Sequence, residues 1–116
     1  MLLCFVLQVD ILMSLLTKLR SEDPSVKSLV VSQFTSMLDI LETPLETEGF
    51  NFVRLDGRMS QRKRAEVIEW FDDSSPDSPT VMLLSLRAGG VGVNLTAASR
   101  VFLLDPVCRF RFGILS

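Results

Sequence analysis

Short apolar segments recur along the chain, each bounded by polar residues or turn formers. The clearest is Val81-Met82-Leu83-Leu84, and another begins at Val101 and is stopped by Asp105-Pro106. Continuous apolar runs of this length are typical of strands that are buried on both faces of a sheet. Together with the mixed segment at 51–55, the pattern predicts strands at residues 28–33, 51–55, 80–85 and 100–104.

The segments before and between these strands carry apolar residues at helical spacing, three or four positions apart. Gly49 ends the second helical segment, and Pro44 inside it is expected to kink or divide the helix. Ser60 is a good N-cap for a third helix, Gln61–Phe71. The expected buried positions are Leu12, Leu15, Leu16 and Leu19 in the first helix, Met37, Leu38, Leu41 and Leu45 in the second, and Ala65, Val67, Ile68 and Phe71 in the third.

Strands that alternate with helices in this way predict an α/β fold, a parallel sheet with flanking helices and right-handed crossovers. The length of 116 residues allows one domain at most, and 47% hydrophobic residues are enough for a core. We found no internal repeat and no low-complexity segment.

Charge and composition exclude several kinds of site. The net charge of −2 does not indicate a nucleic-acid binder, so any such function must come from a local basic patch. The chain has no histidine, and Cys4 and Cys108 lack metal-ligand spacing, which argues against the usual zinc sites and a histidine base. No basic residue precedes Lys18, and Gln8 and Asp10 interrupt the first apolar stretch, so we expect neither a signal peptide nor a membrane partner.

The glycine-rich segment after the third predicted strand is the first candidate for chemistry. A loop of this kind at a strand end can bring backbone N–H groups close to a phosphate, and ligands of open parallel sheets bind at such ends. The same glycines could instead supply only the conformations of a tight turn. Spacing alone leaves both interpretations open for the candidate residues Ser85, Arg87, Gly89, Gly90, Gly92 and Asn94.

A basic cluster at the start of the third helix is the second candidate. Cations at a helix N-terminus oppose the macrodipole, which slightly favours a functional use. A solvated face offset by acidic residues further along the helix remains the favoured interpretation of this feature alone. The cluster consists of Arg58, Arg62, Lys63 and Arg64.

Three blocks carry a family resemblance: LVVSQFTSMLDILETPL at Leu29–Leu45, FVRLDGRMSQRKRAEVIEWF at Phe52–Phe71 and MLLSLRAGGVGVNLTAASRVFLLDP at Met82–Pro106. They resemble the second RecA-like lobe of Swi/Snf-type DNA-translocating ATPases, a branch of helicase superfamily two, and most of all its postreplication-repair members. The run RAGGVGVNLTAASRV is the most specific part. The resemblance implies a RecA-like helicase C-terminal lobe.

The resemblance also implies roles for individual residues. The block with Gly89, Gly90, Gly92 and Asn94 is similar to the motif that couples the nucleotide cleft to the DNA track. Hydroxyl, guanidinium and backbone N–H groups position a phosphate chain without reading its sequence. The implied contacts with the DNA backbone are Ser32, Gln33, Arg54, Gly57, Arg58, Ser85 and Arg87.

Parts of the family pattern are missing from this chain. It contains no Walker A lysine, no acidic Walker B motif and no motif VI, so we expect ATP and Mg²⁺ to bind only together with a first lobe. On this interpretation residues 1–25 are an atypical N-terminal helix and loop, 26–106 are the incomplete lobe, and 107–116 are a divergent tail, as in a truncated product. Such a chain is expected to be inactive alone.

Three functional hypotheses follow. The first is a fragment of an ATP-dependent double-stranded DNA translocase of chromatin remodelling or DNA repair, in the nucleus, with the DNA backbone and a first RecA-like lobe as partners. The second is a catalytically inactive module that binds DNA or protein. The third, a Rossmann-type dinucleotide domain, is disfavoured because no Gly-x-Gly-x-x-Gly follows the first strand.

Overall fold

Eight elements make up the fold in the computed structural model, which describes residues 2–85, 98–105 and 109–114. The helices are α1 (Leu2–Glu22), α2 (Thr35–Thr47) and α3 (Gln61–Asp72). The strands are β1 (Ser28–Ser32), β2 (Phe52–Leu55), β3 (Val81–Ser85), β4 (Arg100–Asp105) and β5 (Arg109–Ile114). All four strands predicted from the apolar segments are present, with ends within a residue or so of those expected.

The five strands form one sheet in the order β2-β3-β1-β4-β5. The first four run parallel, so the predicted architecture, a parallel sheet with flanking helices, is confirmed. The fifth, β5, pairs antiparallel with β4 and was not predicted. Its sequence RFRFGI alternates polar and apolar residues over four positions, which is a strand signal that the assignment of residues 107–116 to a divergent tail does not use.

Helices cover both faces of the sheet. α1 and α2 pack on one face, where their apolar side chains form a core with Val30, Leu83 and Phe102. α3 packs on the other, where Phe71 meets Val31, Val53, Leu84 and neighbouring side chains. The connection from β1 to β2 through α2 crosses the sheet in one direction, and the connection from β2 to β3 through α3 crosses it in the other. Two crossovers of the same hand that run in opposite directions place their helices on opposite faces of the sheet.

Helix α2 is continuous through Pro44, so the expected division of this helix at the proline is wrong. Its predicted end is correct. Gly49 has φ +76°, its N–H bonds Glu46 O at 3.1 Å, and Phe50 N–H bonds Leu45 O at 2.9 Å. These two bonds form a Schellman motif, and Phe50 and Leu45 share the same core as its usual hydrophobic contact.

Helix α3 has the predicted N-cap, since Ser60 Oγ accepts a bond from Lys63 N–H at 3.2 Å. Phe71 is fully buried and Val67 and Ile68 are partly buried, but Ala65 is exposed, contrary to expectation. The reason is geometric. A three-residue step falls about 60° short of a full helical turn, so two such steps carry Ala65 about 120° away from Phe71.

In helix α1 the predicted stripe is present, with Leu12 and Leu16 fully buried and Leu15 and Leu19 packed at the edge of the core. The helix begins earlier than that stripe, at Leu2. In the described part of the chain, no helix is both long enough and apolar enough to cross a membrane.

Two cations lie at the ends of the crossover helices, at the edge where the parallel strands begin. Arg20 Nη1 donates to Glu48 O at the end of α2 (2.7 Å), and its guanidinium lies 4.0 Å from the centre of the Phe50 ring. The buried Lys27 ammonium donates to Phe71 O and Asp73 O at the end of α3. Burial lowers the pKa of Lys27 despite the nearby carboxylates of Asp73 and Asp72. Cations are favourable at helix C-termini, so both helices are capped at this edge.

The Schellman motif supports one prediction on stability. Replacing Gly49 by Ala should lower the free energy of unfolding by about 1 kcal/mol, because an L-residue disfavours positive φ although no atom lies within 4 Å of the added Cβ. Gly49→Asn, the matched control, should cost less because asparagine tolerates this conformation. Urea titration of both variants measures the difference, and an Ala variant as stable as the wild type would contradict it.

Candidate nucleic-acid interface

The edge at which the parallel strands end gathers most of the described candidate residues. Ser32 and Ser85 are register partners at the ends of the neighbouring strands β1 and β3. Both side chains are fully buried, and Ser32 Oγ accepts a hydrogen bond from Phe34 N–H at 3.1 Å. In this structure the Ser32 hydroxyl therefore shapes the turn into α2, beneath the surface of the edge.

The exposed candidates at this edge are Gln33, Gly57 and Arg58. Gln33 follows β1 directly, and Gly57 and Arg58 follow β2. The side chain of Arg58 is 75% exposed, so its guanidinium is accessible to a ligand in solution. Parallel strands end on one side of a sheet, so these three positions lie at the same edge.

Arg54 lies one residue before the end of β2 and differs from the other candidates. Its side chain is only 14% exposed and points to the face covered by α2. Nη1 contacts Asp39 and Glu42 of that helix, the latter at 3.0 Å, and Nε donates to Asp56 at 3.1 Å. The Arg54 guanidinium is therefore surrounded by three carboxylates.

Asp56, which follows β2 directly, is the residue that links these groups. Its side chain is 7% exposed, and Oδ2 accepts from Arg54 Nε and from Arg58 Nη2 (3.2 Å). Its Oδ1 accepts from the backbone N–H of Arg58 at 3.0 Å. An Asp-Gly pair after a strand predicts a turn, but only the packing shows that the carboxylate faces two arginines.

The protonation of this cluster follows from its contacts. Burial by itself would raise the pKa of Asp56, but the hydrogen bonds from Arg58 and the charges of Arg58 and Arg54 outweigh burial and lower it below its ordinary value. Burial likewise disfavours the charged form of Arg54, yet the contacts with Asp39, Glu42 and Asp56 raise its pKa. Both groups are therefore ionised near neutral pH.

Helix α3 adds charge to the same edge, because its N-terminus follows the turn after β2. Arg62 and Lys63 are exposed and Arg64 is half-buried, while the acidic residues lie further along the helix. Arg62 pairs with Glu66 at 3.6 Å, and its side chain is 92% exposed. The basic end of α3 thus lies at the edge that carries Arg58.

Five candidate positions lie outside the described residues. They are Arg87, Gly89, Gly90, Gly92 and Asn94. Among the side chains that the structure describes, at residues 6–85 and 98–104, no group of three His, Cys, Asp or Glu could hold a metal ion.

The sequence and fold of this chain correspond to one known class of protein. The chain matches the helicase conserved C-terminal domain over residues 8–111 and therefore belongs to that family. It is 60% identical over 99 residues to Helicase-like transcription factor of Mus musculus, covering 85% of this chain and 10% of that protein. The sequence-based assignment to this family is confirmed.

Two further relatives support the same family assignment. Identity is 52% to a putative SWI/SNF-related matrix-associated actin-dependent regulator of chromatin, subfamily A member 3-like 1, of Arabidopsis thaliana, covering 85% of this chain and 11% of that protein. It is 48% to DNA repair protein RAD5B of the same plant, covering 85% and 8% respectively. This chain spans about a tenth of the length of these relatives.

Solved structures confirm the RecA-like fold. The C-terminal part of the Fun30 ATPase domain matches with a TM-score of 0.70 and 37% identity, covering 81% of this chain and 29% of that one. The C-terminal domain of the Sulfolobus solfataricus SWI2/SNF2 ATPase matches with a TM-score of 0.63 and 30% identity, covering 78% and 39%.

The buried carboxylate of Asp56 supports a prediction on pH dependence. Asp56→Asn should lower stability at pH 7 by about 2 kcal/mol, the usual contribution of hydrogen bonds to a charged group. Because the folded-state pKa is depressed, this contribution is fully present above about pH 4 and is lost as the pH falls through the folded value.

Denaturant titrations of the wild type and the variant from pH 7 to pH 3 measure this difference. Asp10→Asn is the control, because Asp10 is exposed on α1 and makes no ion pair with a described residue. A stability difference for Asp56→Asn that stays constant down to pH 3 would show that the carboxylate charge does not contribute.

Proposed function

We propose that the chain is part of the second ATPase lobe of an ATP-dependent double-stranded DNA translocase of the Swi/Snf type, acting in chromatin remodelling or DNA repair in the nucleus. Membership of the helicase C-terminal family and the names of the relatives support this proposal. Its partners are the DNA backbone and a first RecA-like lobe.

One observation carries the DNA part of the proposal. The accessible Arg58 guanidinium, the exposed Gln33 and the basic start of α3 lie at a single edge of the sheet, whereas the opposite edge has cations already bonded to helix ends. An edge with solvent-accessible cations and helix N-termini attracts anions. A phosphate backbone fits this edge without any contact to bases.

In this proposal ATP and Mg²⁺ bind only when this lobe is combined with a first lobe. We assign Gly89, Gly90, Gly92 and Asn94 to nucleotide binding and coupling, and Arg87 to the DNA backbone, on the resemblance alone. The described residues offer no metal-binding cluster. On the resemblance, a first lobe supplies the Walker A lysine and the groups that hold Mg²⁺.

A second candidate is supported by the same edge. A module that binds DNA or a protein but hydrolyses no ATP needs only the accessible cations and not the nucleotide cleft. ATP turnover by a protein that also contains a first lobe separates the two candidates, because this chain alone is expected to be inactive under both.

A third prediction concerns DNA binding by the 116-residue chain. Arg58→Ala should weaken binding to two duplexes of unrelated sequence by the same factor, because a phosphate contact carries no sequence information. The slope of log affinity against log salt should fall by about one unit. Fluorescence anisotropy with labelled duplexes over a salt series measures both quantities.

Arg62→Ala is the matched control. It removes the same charge from the same region, but its side chain is 92% exposed and pairs with Glu66 on its own helix. We expect a smaller effect on affinity. If Arg62→Ala weakens binding strongly while Arg58→Ala leaves it unchanged, the basic helix is the DNA site and the proposed edge is wrong.

A fourth prediction concerns ATP hydrolysis by the same chain. The chain alone should show no DNA-stimulated ATP hydrolysis above background, because its sequence contains no Walker A lysine to bind the phosphates. A coupled phosphate-release assay with and without duplex DNA measures this. Turnover that is abolished by Asn94→Ala would show that a first lobe is not needed.

A further inference from the structure

Asp56 is held between two arginines that have very different surroundings. Arg54, on one side, is 14% exposed and contacts two further carboxylates, and Arg58, on the other, is 75% exposed. The family resemblance implied the same role for both arginines, direct contact with the DNA backbone. Their geometry separates the two roles.

We infer that Arg54 is a positioning residue, which holds Asp56 so that Asp56 orients Arg58 toward the DNA phosphate, and that Arg54 makes no phosphate contact of its own. This inference rests on the proposed DNA function and refines the site proposed for it.

The donors of Arg54 are largely occupied. Nη1 bonds Asp39 and Glu42, Nε bonds Asp56, and Nη2 lies 3.4 Å from Thr35 O. A guanidinium has five N–H donors, so these four contacts leave little capacity for another ligand. Three surrounding carboxylates would also repel a phosphate brought to this position.

Arg58, in contrast, has few partners and is accessible to solvent. Its guanidinium donates to Asp56 through Nη2 only, among the described residues, and its side chain is 75% exposed. Its backbone is fixed as well, because Asp56 Oδ1 accepts from Arg58 N–H and Met59 N–H bonds Asp56 O at 3.3 Å. The Asp56 carboxylate therefore sets both the turn and the direction of the side chain.

This arrangement predicts that removing the Asp56 charge changes the affinity for DNA in the direction opposite to the one expected from net charge alone. Removing a carboxylate beside a DNA site should strengthen binding if only the summed charge matters, since one repulsion disappears. If Asp56 orients Arg58, Asp56→Asn should instead weaken binding. Glu66→Gln is the matched control, because Glu66 is exposed and pairs with Arg62 outside the Asp56 cluster.

The test is a double-mutant cycle on the 116-residue chain. Arg58→Ala, Arg54→Met, their combination, Asp56→Asn and Glu66→Gln are titrated with a labelled duplex over a salt series. Urea titration checks that each variant is folded. We expect each single arginine variant to weaken binding about fivefold, and the double variant to bind no more weakly than Arg58→Ala.

The salt slope provides an independent readout. It should fall by about one unit in Arg58→Ala and by no further unit in the double variant, because only one phosphate contact is lost. Asp56→Asn should weaken binding by a similar factor, while Glu66→Gln leaves it unchanged or slightly stronger. If Arg54→Met does not fold, Arg54→Gln replaces it in the cycle, and the comparison of Asp56→Asn with Glu66→Gln tests separately whether Asp56 orients Arg58.

Two results would overturn the inference. Additive losses with a slope reduced by about two units would mean that Arg54 contacts a phosphate itself. Tighter binding by Asp56→Asn would mean that the carboxylate acts only by repulsion. A wild-type chain that binds no duplex even at low salt would overturn the proposed DNA function instead, so the two failures are distinguishable.

Discussion

The fold depends on burying β1 and β3 on both of their faces. All five residues of each strand are buried, and the two strands pair in parallel register over their whole length. Each fully buried aliphatic side chain contributes about 1.5–3 kcal/mol, but only if helices cover both faces of the sheet. Parallel pairing requires long crossovers, and α2 and α3 are those crossovers, one on each face.

This constraint also divides the charges between the two edges of the sheet. Both crossover helices run back against the strands, so their C-termini lie where strands begin and their N-termini lie where strands end. Arg20 and Lys27 bond the helix carbonyls at the first edge and are not available to a ligand. The second edge keeps an accessible arginine and the basic start of α3. An anionic partner therefore fits the second edge better than the first.

Arg54 and Arg58 have different surroundings that the sequence alone does not predict. Both residues belong to one short block, and nothing in their spacing separates them. Side chains alternate between the faces of a strand, so Arg54 points to the face covered by α2 and meets Asp39 and Glu42. These carboxylates lie more than ten positions earlier in the chain. The contact exists only because the crossover brings α2 over β2.

The sequence by itself determined the elements and their order, because local periodicity and turn residues act over a few positions. The four parallel strands, the Ser60 cap and the end of α2 at Gly49 are all of this kind. Tertiary structure decided that β5 joins the sheet antiparallel and that the Ser32 and Ser85 side chains are buried. It also decided that Asp56 connects a buried arginine to an exposed one. These features depend on which distant segments meet, and pairing between distant segments leaves no periodic pattern in the sequence.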